Sequence, residues 1–62
     1  MARRRLPLNE QTAAYIKWLL LNTNLYQDQI GALVDQNQGR VSEIKSGERF
    51  RDVKPLPYPG LT

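Results

Sequence analysis

The sequence predicts a small all-α domain of three helices, and three observations lead to that fold class. Apolar residues recur at helical spacing in three stretches between positions 10 and 46, and polar stretches separate them. The chain has 62 residues, which is enough for one hydrophobic core and therefore for one domain. Prolines at positions 55, 57 and 59 exclude both a helix and a central strand from the C-terminal end.

The first helix is predicted over residues 10–21. Asn9 precedes it with a side-chain oxygen that can accept from a free backbone N–H group of the first turn. At ~100° per residue, the apolar side chains divide between two nearly opposite arcs. One arc comprises Ala13, Ile16, Leu19 and Leu20, and the other comprises Ala14, Trp18 and Leu21. This small helix therefore has two faces to bury.

The second helix is predicted over residues 25–34. Asn24, with Gln27 three residues later, resembles a capping box that opens a helix. The inward face at spacing i, i+3, i+4 is expected to consist of Ile30, Leu33 and Val34. A tight turn is predicted over residues 35–37, because Asp and Asn tolerate left-handed backbone conformations better than most side chains.

The third helix is predicted over residues 38–46. Its strongly apolar residues are Val41 and Ile44, which lie one turn apart and form a thin inward stripe. Gly47 is a good C-terminal stop, because glycine adopts the left-handed conformation at low cost. These three helices belong to a predicted domain over residues 9–54.

Both ends of the chain differ from this domain in composition. Residues 1–8 contain three arginines and a proline with few apolar groups, so we predict a flexible basic arm. Residues 55–62 alternate proline with Leu56, Tyr58 and Gly60, which predicts an extended, polyproline-like tail. The apolar groups of this tail can lie across a hydrophobic surface of the domain.

The composition excludes most catalytic chemistry. The chain contains no cysteine and no histidine, which removes disulfides, the common zinc sites, cysteine nucleophiles and imidazole acid–base steps. We therefore expect no enzyme, no metal and no cofactor. No apolar run approaches the ~20 residues of a membrane-spanning helix, and no signal-type stretch follows the first arginines. We expect a cytoplasmic protein with no membrane partner.

The basic residues form two clusters, and the net charge is +3. The first cluster comprises Arg3, Arg4 and Arg5, and the second comprises Arg40, Lys45, Arg49, Arg51 and Lys54. The stretch between them leans acidic through Glu10, Asp28 and Asp35. Segregated positive charge of this kind favours a polyanionic partner.

The run from Tyr26 to Ile44 contains a recurring pattern. An apolar residue precedes a small one at Ile30 and Gly31, and two apolar residues precede the turn. Val41 and Ile44 complete it in the third helix. This pattern resembles the helix-turn-helix of bacterial and phage repressors, Cro-like proteins and site-specific recombinases, over roughly a third of the chain. In that unit a small residue such as Gly31 allows two steeply crossing helices to approach closely.

The resemblance implies that the third helix enters the major groove of double-stranded DNA. With Val41 and Ile44 inward, the opposite side of this helix is slim and polar, which suits a groove about 12 Å wide. The predicted base contacts are Asn37, Gln38, Gly39, Arg40, Ser42 and Glu43. The predicted contacts to the DNA backbone or minor groove are Arg3, Arg4, Arg5, Lys45, Ser46, Arg49, Arg51 and Lys54.

Two side chains of this predicted interface have more than one possible role. Arg40 reaches either a guanine or a phosphate, and the sequence is compatible with both. Glu43 either accepts from a cytosine amine or holds Arg40 or Arg49. Alternatively, the third helix is an ordinary polar surface helix. The two basic clusters are, in that case, solvated charges that contact no DNA.

The second apolar face of the first helix admits two interpretations. One is a homodimer seam, in which Tyr15, Trp18 and Leu21 either self-associate or receive the partner's tail. The other is a core surface that the chain's own tail covers. The leading function is a sequence-specific transcriptional regulator of bacterial or phage type, a nucleoid-associated homodimer on DNA. The alternatives are an architectural DNA-binding protein of low specificity and an adaptor that docks on the transcription machinery.

Overall fold

The computed structural model describes residues 8–59, and over that range it contains three α-helices and no strand. The helices are α1 (Glu10–Asn22), α2 (Gln27–Val34) and α3 (Gln38–Ser46), and each contacts the other two. The predicted all-α class with three helices is confirmed. In this part of the chain no helix has both the length and the apolar character needed to cross a membrane.

Two of the predicted helix signals are confirmed. The Asn9 side chain accepts from the backbone N–H of Thr12 at 3.0 Å and so caps the start of α1. Gly47 ends α3 with φ of 87°, in the left-handed region where a side chain is costly. Because these signals join a residue to its near neighbours, they act in the same way in any tertiary context.

The predicted start of α2 is wrong. The expected capping box of Asn24 and Gln27 does not form, and the helix begins at Gln27, two residues later than predicted. Tyr26 is the residue that precedes the helix, and its backbone N–H donates to Gln29 Oε1 at 2.8 Å. Half of a capping box is therefore present, shifted by two residues along the chain, because the Gln29 backbone N–H donates to Asp28 Oδ1 and not to Tyr26.

The shift follows from the way Thr23 ends α1. Both its backbone N–H and its hydroxyl donate to the Leu19 carbonyl, at 3.1 and 2.6 Å. The Thr23 hydroxyl oxygen also accepts from the backbone N–H of Leu25 at 3.3 Å. Leu25 is thus held in a non-helical connection and packs against the core instead of opening α2.

The core is formed by apolar side chains from all three helices. The buried apolar residues are Ala13, Ala14, Ile16, Leu19, Ile30, Val34, Val41 and Ile44. Four residues expected on buried faces are not in it: Leu20 and Trp18 are half-buried against it, Leu33 is 40% exposed and Leu21 is 72% exposed. Leu33 is outside the core because the eight-residue α2 buries only Ile30, Gly31 and Val34. Leu21 is outside it because it lies in the last turn of α1, beyond the residues that the tail covers.

The chain after α3 returns across the second face of α1. The backbone N–H of Leu56 donates to the Ala14 carbonyl at 3.1 Å, and Ala14 is buried. The Tyr58 ring meets Tyr15 edge to face with ring centroids 5.6 Å apart, and its hydroxyl donates to the Leu33 carbonyl at 3.0 Å. The tail therefore connects α1 with α2.

The connection between α2 and α3 is short and closely packed. Asp35 adopts the left-handed conformation with φ of 58°, as the turn prediction requires. The Gln36 backbone N–H donates to the Gly31 carbonyl at 2.8 Å, and a Cβ built on Gly31 would lie 2.5 Å from the Gln36 carbonyl oxygen. The close approach expected at Gly31 is present, but its neighbour is the turn backbone and not a crossing helix.

Candidate nucleic-acid interface

The outer side of α3 is open to solvent while its inner side is fixed in the core. Val41 is 0% exposed and Ile44 is 3% exposed, so the rotation of this helix about its own axis is set. The exposed residues on and beside it are Asn37, Gln38, Gly39, Ser42, Lys45 and Ser46. Most of these side chains are short, and only Lys45 carries a charge.

The start of α3 combines a cap with a predicted base contact. Asn37 Oδ1 accepts from the Arg40 backbone N–H at 3.0 Å, which satisfies a donor of the first turn. A Cβ built on Gly39 would lie 3.2 Å from that same oxygen, so glycine leaves room for the cap. The Asn37 oxygen is therefore engaged, and its amide nitrogen is the group left for a base.

Arg40, Glu43 and Arg49 form one cluster, which we name the Arg–Glu–Arg cluster. Glu43 Oε1 accepts from Arg40 Nη1 at 3.0 Å and from Arg49 Nε at 2.8 Å. The side chains of Arg40, Glu43 and Arg49 are 42%, 31% and 49% exposed. The sequence left two roles open to Glu43, a base contact or an ion pair with an arginine. The structure shows the ion pair, and the carboxylate binds both Arg40 and Arg49.

The hydrogen bond from Arg40 is the largest cause of a lowered pKa at Glu43, and the charge of Arg49 adds to it. The carboxylate is therefore ionised at neutral pH. Two guanidinium groups and one carboxylate leave the Arg–Glu–Arg cluster with one net positive charge. This charge lies beside the uncharged outer residues of α3.

Comparisons with protein-family models, with curated proteins and with solved structures found no match for this chain.

The remaining basic residues predicted to contact the DNA backbone differ in their exposure and hydrogen bonds. Lys45, Arg51 and Lys54 are exposed, and Arg51 Nε donates to the Gly47 carbonyl at 3.3 Å. The predicted contacts Arg3, Arg4 and Arg5 lie outside the described residues. Positive side chains thus follow α3 along the chain, on the segment that leads into the tail.

Sequence reasoning missed the residue that holds this segment in place. Lys17 Nζ donates to the backbone carbonyls of Phe50, Arg51 and Val53, the last two at 3.2 and 2.7 Å. We name these three bonds the Lys17 clamp. The available signal was one lysine within the otherwise apolar second half of α1. Three oriented carbonyls satisfy all three donors of the ammonium group.

The Lys17 clamp coincides with an unusual backbone conformation. Phe50 has a φ of 54°, in the left-handed region that few side chains other than Asn and Asp adopt. Its carbonyl accepts from both Lys17 Nζ and the Val53 backbone N–H, the latter at 3.1 Å. These bonds hold the turn that places Arg49 beside Glu43.

The three residues of the predicted dimer or tail-packing face are exposed to different extents. Tyr15 contacts Tyr58 of the tail, Trp18 is half-buried against the core, and Leu21 is exposed. The chain's own tail therefore occupies the part of this face around Tyr15. A homodimer seam remains a prediction, and only Leu21 of the three residues is largely open to a second chain.

Proposed function

We propose that this chain is a helix-turn-helix protein that binds double-stranded DNA with α3 in the major groove. On this proposal it acts as a sequence-specific transcriptional regulator of bacterial or phage type. The observation that carries the proposal is the outer side of α3. Gln38, Gly39 and Ser42 are exposed there, and Val41 and Ile44 on the opposite side are buried.

The connection from α2 to α3 supports the helix-turn-helix assignment. It spans residues 35–37 and contains one left-handed residue, Asp35. The turn backbone lies close to α2, since a Cβ built on Gly31 would be 2.5 Å from the Gln36 carbonyl oxygen. A short, closely packed connection favours one angle between α2 and α3, which a helix that reads bases requires.

The charge distribution supports binding to phosphates beside the groove. Lys45, Arg51 and Lys54 are exposed, and the Arg–Glu–Arg cluster adds one net positive charge. Glu48 and Asp52 are also exposed and offset part of this charge. We expect affinity for DNA to fall with salt, with a slope of about 0.9 per neutralised phosphate. The proposal assigns Arg3, Arg4 and Arg5 to an adjacent minor groove.

The direct test is selection of bound duplexes from a random DNA pool, followed by affinity measurements. A regulator is expected to bind its selected site at least about 10³-fold more tightly than random DNA. A much smaller ratio supports an architectural protein of low specificity. An absence of association at low ionic strength contradicts DNA binding altogether and favours the adaptor alternative.

A pair of variants tests whether α3 is the contacting surface. Ser42→Glu places a negative charge on the outer side of α3, and Ala32→Glu makes the same charge change at an exposed position of α2. We expect Ser42→Glu to reduce affinity at least about 100-fold, because a carboxylate in the groove repels phosphates, and Ala32→Glu to reduce it far less. Equal losses would contradict the assignment of α3 to the groove.

Pairing of two chains on DNA is part of the proposal, because one helix-turn-helix covers only a few base pairs. Sedimentation at micromolar protein concentration, with and without the selected duplex, measures it. The spacing of half-sites in the selected sequences gives an independent reading. A monomer under both conditions with a single half-site selected would remove the dimer from the proposal.

A further inference from the structure

The Arg–Glu–Arg cluster leaves two complete donor edges free for a ligand. Arg40 uses Nη1 for Glu43, so its Nε and Nη2 donors have no other hydrogen bond among the described residues. Arg49 donates to Glu43 through Nε, so its Nη1 and Nη2 donors likewise have no other hydrogen bond among the described residues. Each guanidinium group therefore retains a planar pair of donors that can bind two acceptors at once.

The two arginines differ in their place relative to α3. Arg40 lies in the first half of α3, within one turn of the exposed Gln38 and Ser42. Arg49 lies beyond the end of α3 and is the more exposed of the two, at 49% against 42%. A residue in the first half of a groove-binding helix is placed to reach base edges, whereas one outside the helix is placed to reach the DNA backbone.

We propose that Glu43 is a positioning residue, which directs Arg40 to the O6 and N7 atoms of a guanine and Arg49 to a neighbouring phosphate. This inference rests on the proposed function and adds to it the base that α3 reads. Guanine presents two acceptors in the major groove, and a phosphate presents two oxygens, so each matches a two-donor edge. The shared carboxylate fixes both guanidinium groups before DNA arrives, which lowers the entropy cost of ordering them.

The same carboxylate has opposite effects on specificity and on general affinity. Its negative charge cancels one arginine charge, so it weakens attraction to any DNA. Its hydrogen bond from Arg40 holds that guanidinium group in one orientation, so it strengthens discrimination for guanine. Removing the charge of Glu43 is therefore expected to raise affinity for random DNA while it lowers selectivity, and a purely structural role would not separate the two.

The experiment compares Glu43→Gln with Glu48→Gln, which makes the same charge change at an exposed position outside the cluster. The probes are the duplex selected by the wild type and copies in which 7-deazaguanine, which lacks N7, replaces each guanine in turn. At one guanine position, we expect the replacement by 7-deazaguanine to weaken binding at least about fivefold, both for the wild type and for Glu48→Gln. Glu43→Gln is expected to lose most of this sensitivity, although both variants bind random DNA more tightly than the wild type.

Two further variants test each arginine separately. Arg40→Met keeps a long unbranched stem but removes every donor that could reach N7, so we expect it to lose the sensitivity to 7-deazaguanine. Arg49→Ala is expected to lower the salt slope by about 0.9 and to leave base preference unchanged. Circular dichroism and thermal unfolding establish that each variant is folded.

Several outcomes would overturn the inference while the proposed function stands. One is a selected site in which no single replacement of guanine by 7-deazaguanine weakens binding. The others are an Arg40→Met variant that keeps the sensitivity and a Glu43→Gln variant that behaves as Glu48→Gln does. A wild type that binds no DNA at low ionic strength overturns the proposed function and this inference together. The two failures are thus distinguishable.

Discussion

Gly31 is the residue on which the geometry between α2 and α3 depends most directly. Its missing side chain leaves space for the Gln36 carbonyl oxygen, which would lie 2.5 Å from a Cβ at this position. Backbone atoms cannot rotate out of the way as the end of a flexible side chain can. A side chain here therefore forces a movement of the turn itself.

We expect Gly31→Ala to destabilise the fold by about 3 kcal/mol, because the added methyl group overpacks against backbone. The matched control is Gly39→Ala, since a Cβ there meets only the Asn37 side chain at 3.2 Å. Its expected change is below about 1 kcal/mol, in line with the small propensity difference between the two residues. Urea unfolding followed by circular dichroism compares the two, and equal losses would contradict the account of Gly31.

Glu43 supplies a second prediction, which concerns pH. The hydrogen bond from Arg40 lowers the pKa of Glu43 in the folded protein relative to the unfolded chain. A lowered folded-state pKa means that the cluster stabilises the fold above the unfolded-state pKa, and that this contribution is lost as pH falls through the lowered pKa. Stability differences between the wild type and Glu43→Gln should therefore diminish on acidification.

The pKa of Glu43 is measurable by NMR titration of its carboxylate carbon. We expect Arg40→Ala to raise this pKa toward its ordinary value, because the largest cause of the shift is then absent. Lys45→Ala removes an equal charge from α3 without removing a hydrogen bond to Glu43, so it serves as the control. An unchanged pKa in Arg40→Ala would show that the pair does not persist in solution.

At the level of helices and connecting segments, α1 organises the molecule. One of its faces contributes Ala13, Ile16 and Leu19 to the core, and the part of the other face around Ala14 is covered by the chain that follows α3. The Lys17 clamp and the bond from Leu56 to Ala14 join this later segment to α1. The second apolar face of α1 thus stabilises the returning chain, which also carries basic residues of the candidate interface.

Replacing Lys17 tests this arrangement. Lys17→Met keeps a long unbranched stem but removes the donor to three carbonyls, so we expect a loss of about 2 kcal/mol in the free energy of unfolding. Hydrogen exchange at the Leu56 amide should become faster, since its bond to Ala14 depends on the same segment. Lys54→Met changes an exposed lysine and should have little effect on either measurement. The clamp would have no energetic role if the two variants behaved alike.

For the molecule as a whole, the small size of the core decides stability. Among residues 8–59, eight buried apolar residues support all three helices, and the 62-residue sequence has no cysteine to form a disulfide. A chain of this length buries a smaller fraction of its surface than a larger domain does. The three helices are therefore expected to unfold together, in one cooperative transition.

Two substitutions in α1 compare the stability contribution of a core residue with that of a surface residue. Ile16 is 0% exposed and Leu21 is 72% exposed, although both are large aliphatic residues of the same helix. We expect Ile16→Ala to cost about 3 kcal/mol, a large part of a total on the order of 5 kcal/mol, and Leu21→Ala to change stability by less than about 0.5 kcal/mol. Thermal unfolding measures both. A large loss in Leu21→Ala would reveal a partner on that surface, such as a second chain.

Much of the fold was predictable because its signals are local. The cap at Asn9, the left-handed turn at Asp35 and the stop at Gly47 each satisfy backbone groups within a few residues. Helical periodicity likewise placed Val41 and Ile44 inward, and Ser42 between them is exposed. The candidate interface follows from the same geometry, since a helix with one side fixed in a core must turn the other outward.

The tertiary structure alone decided the features that join distant parts of the chain. Lys17 binds carbonyls more than thirty positions later, and Tyr58 reaches the Leu33 carbonyl from the tail. Glu43 had two possible roles until the turn at Phe50 brought Arg49 beside it. Periodicity and capping depend on neighbouring residues, whereas these contacts depend on how the helices pack, and packing is determined only when the whole core forms.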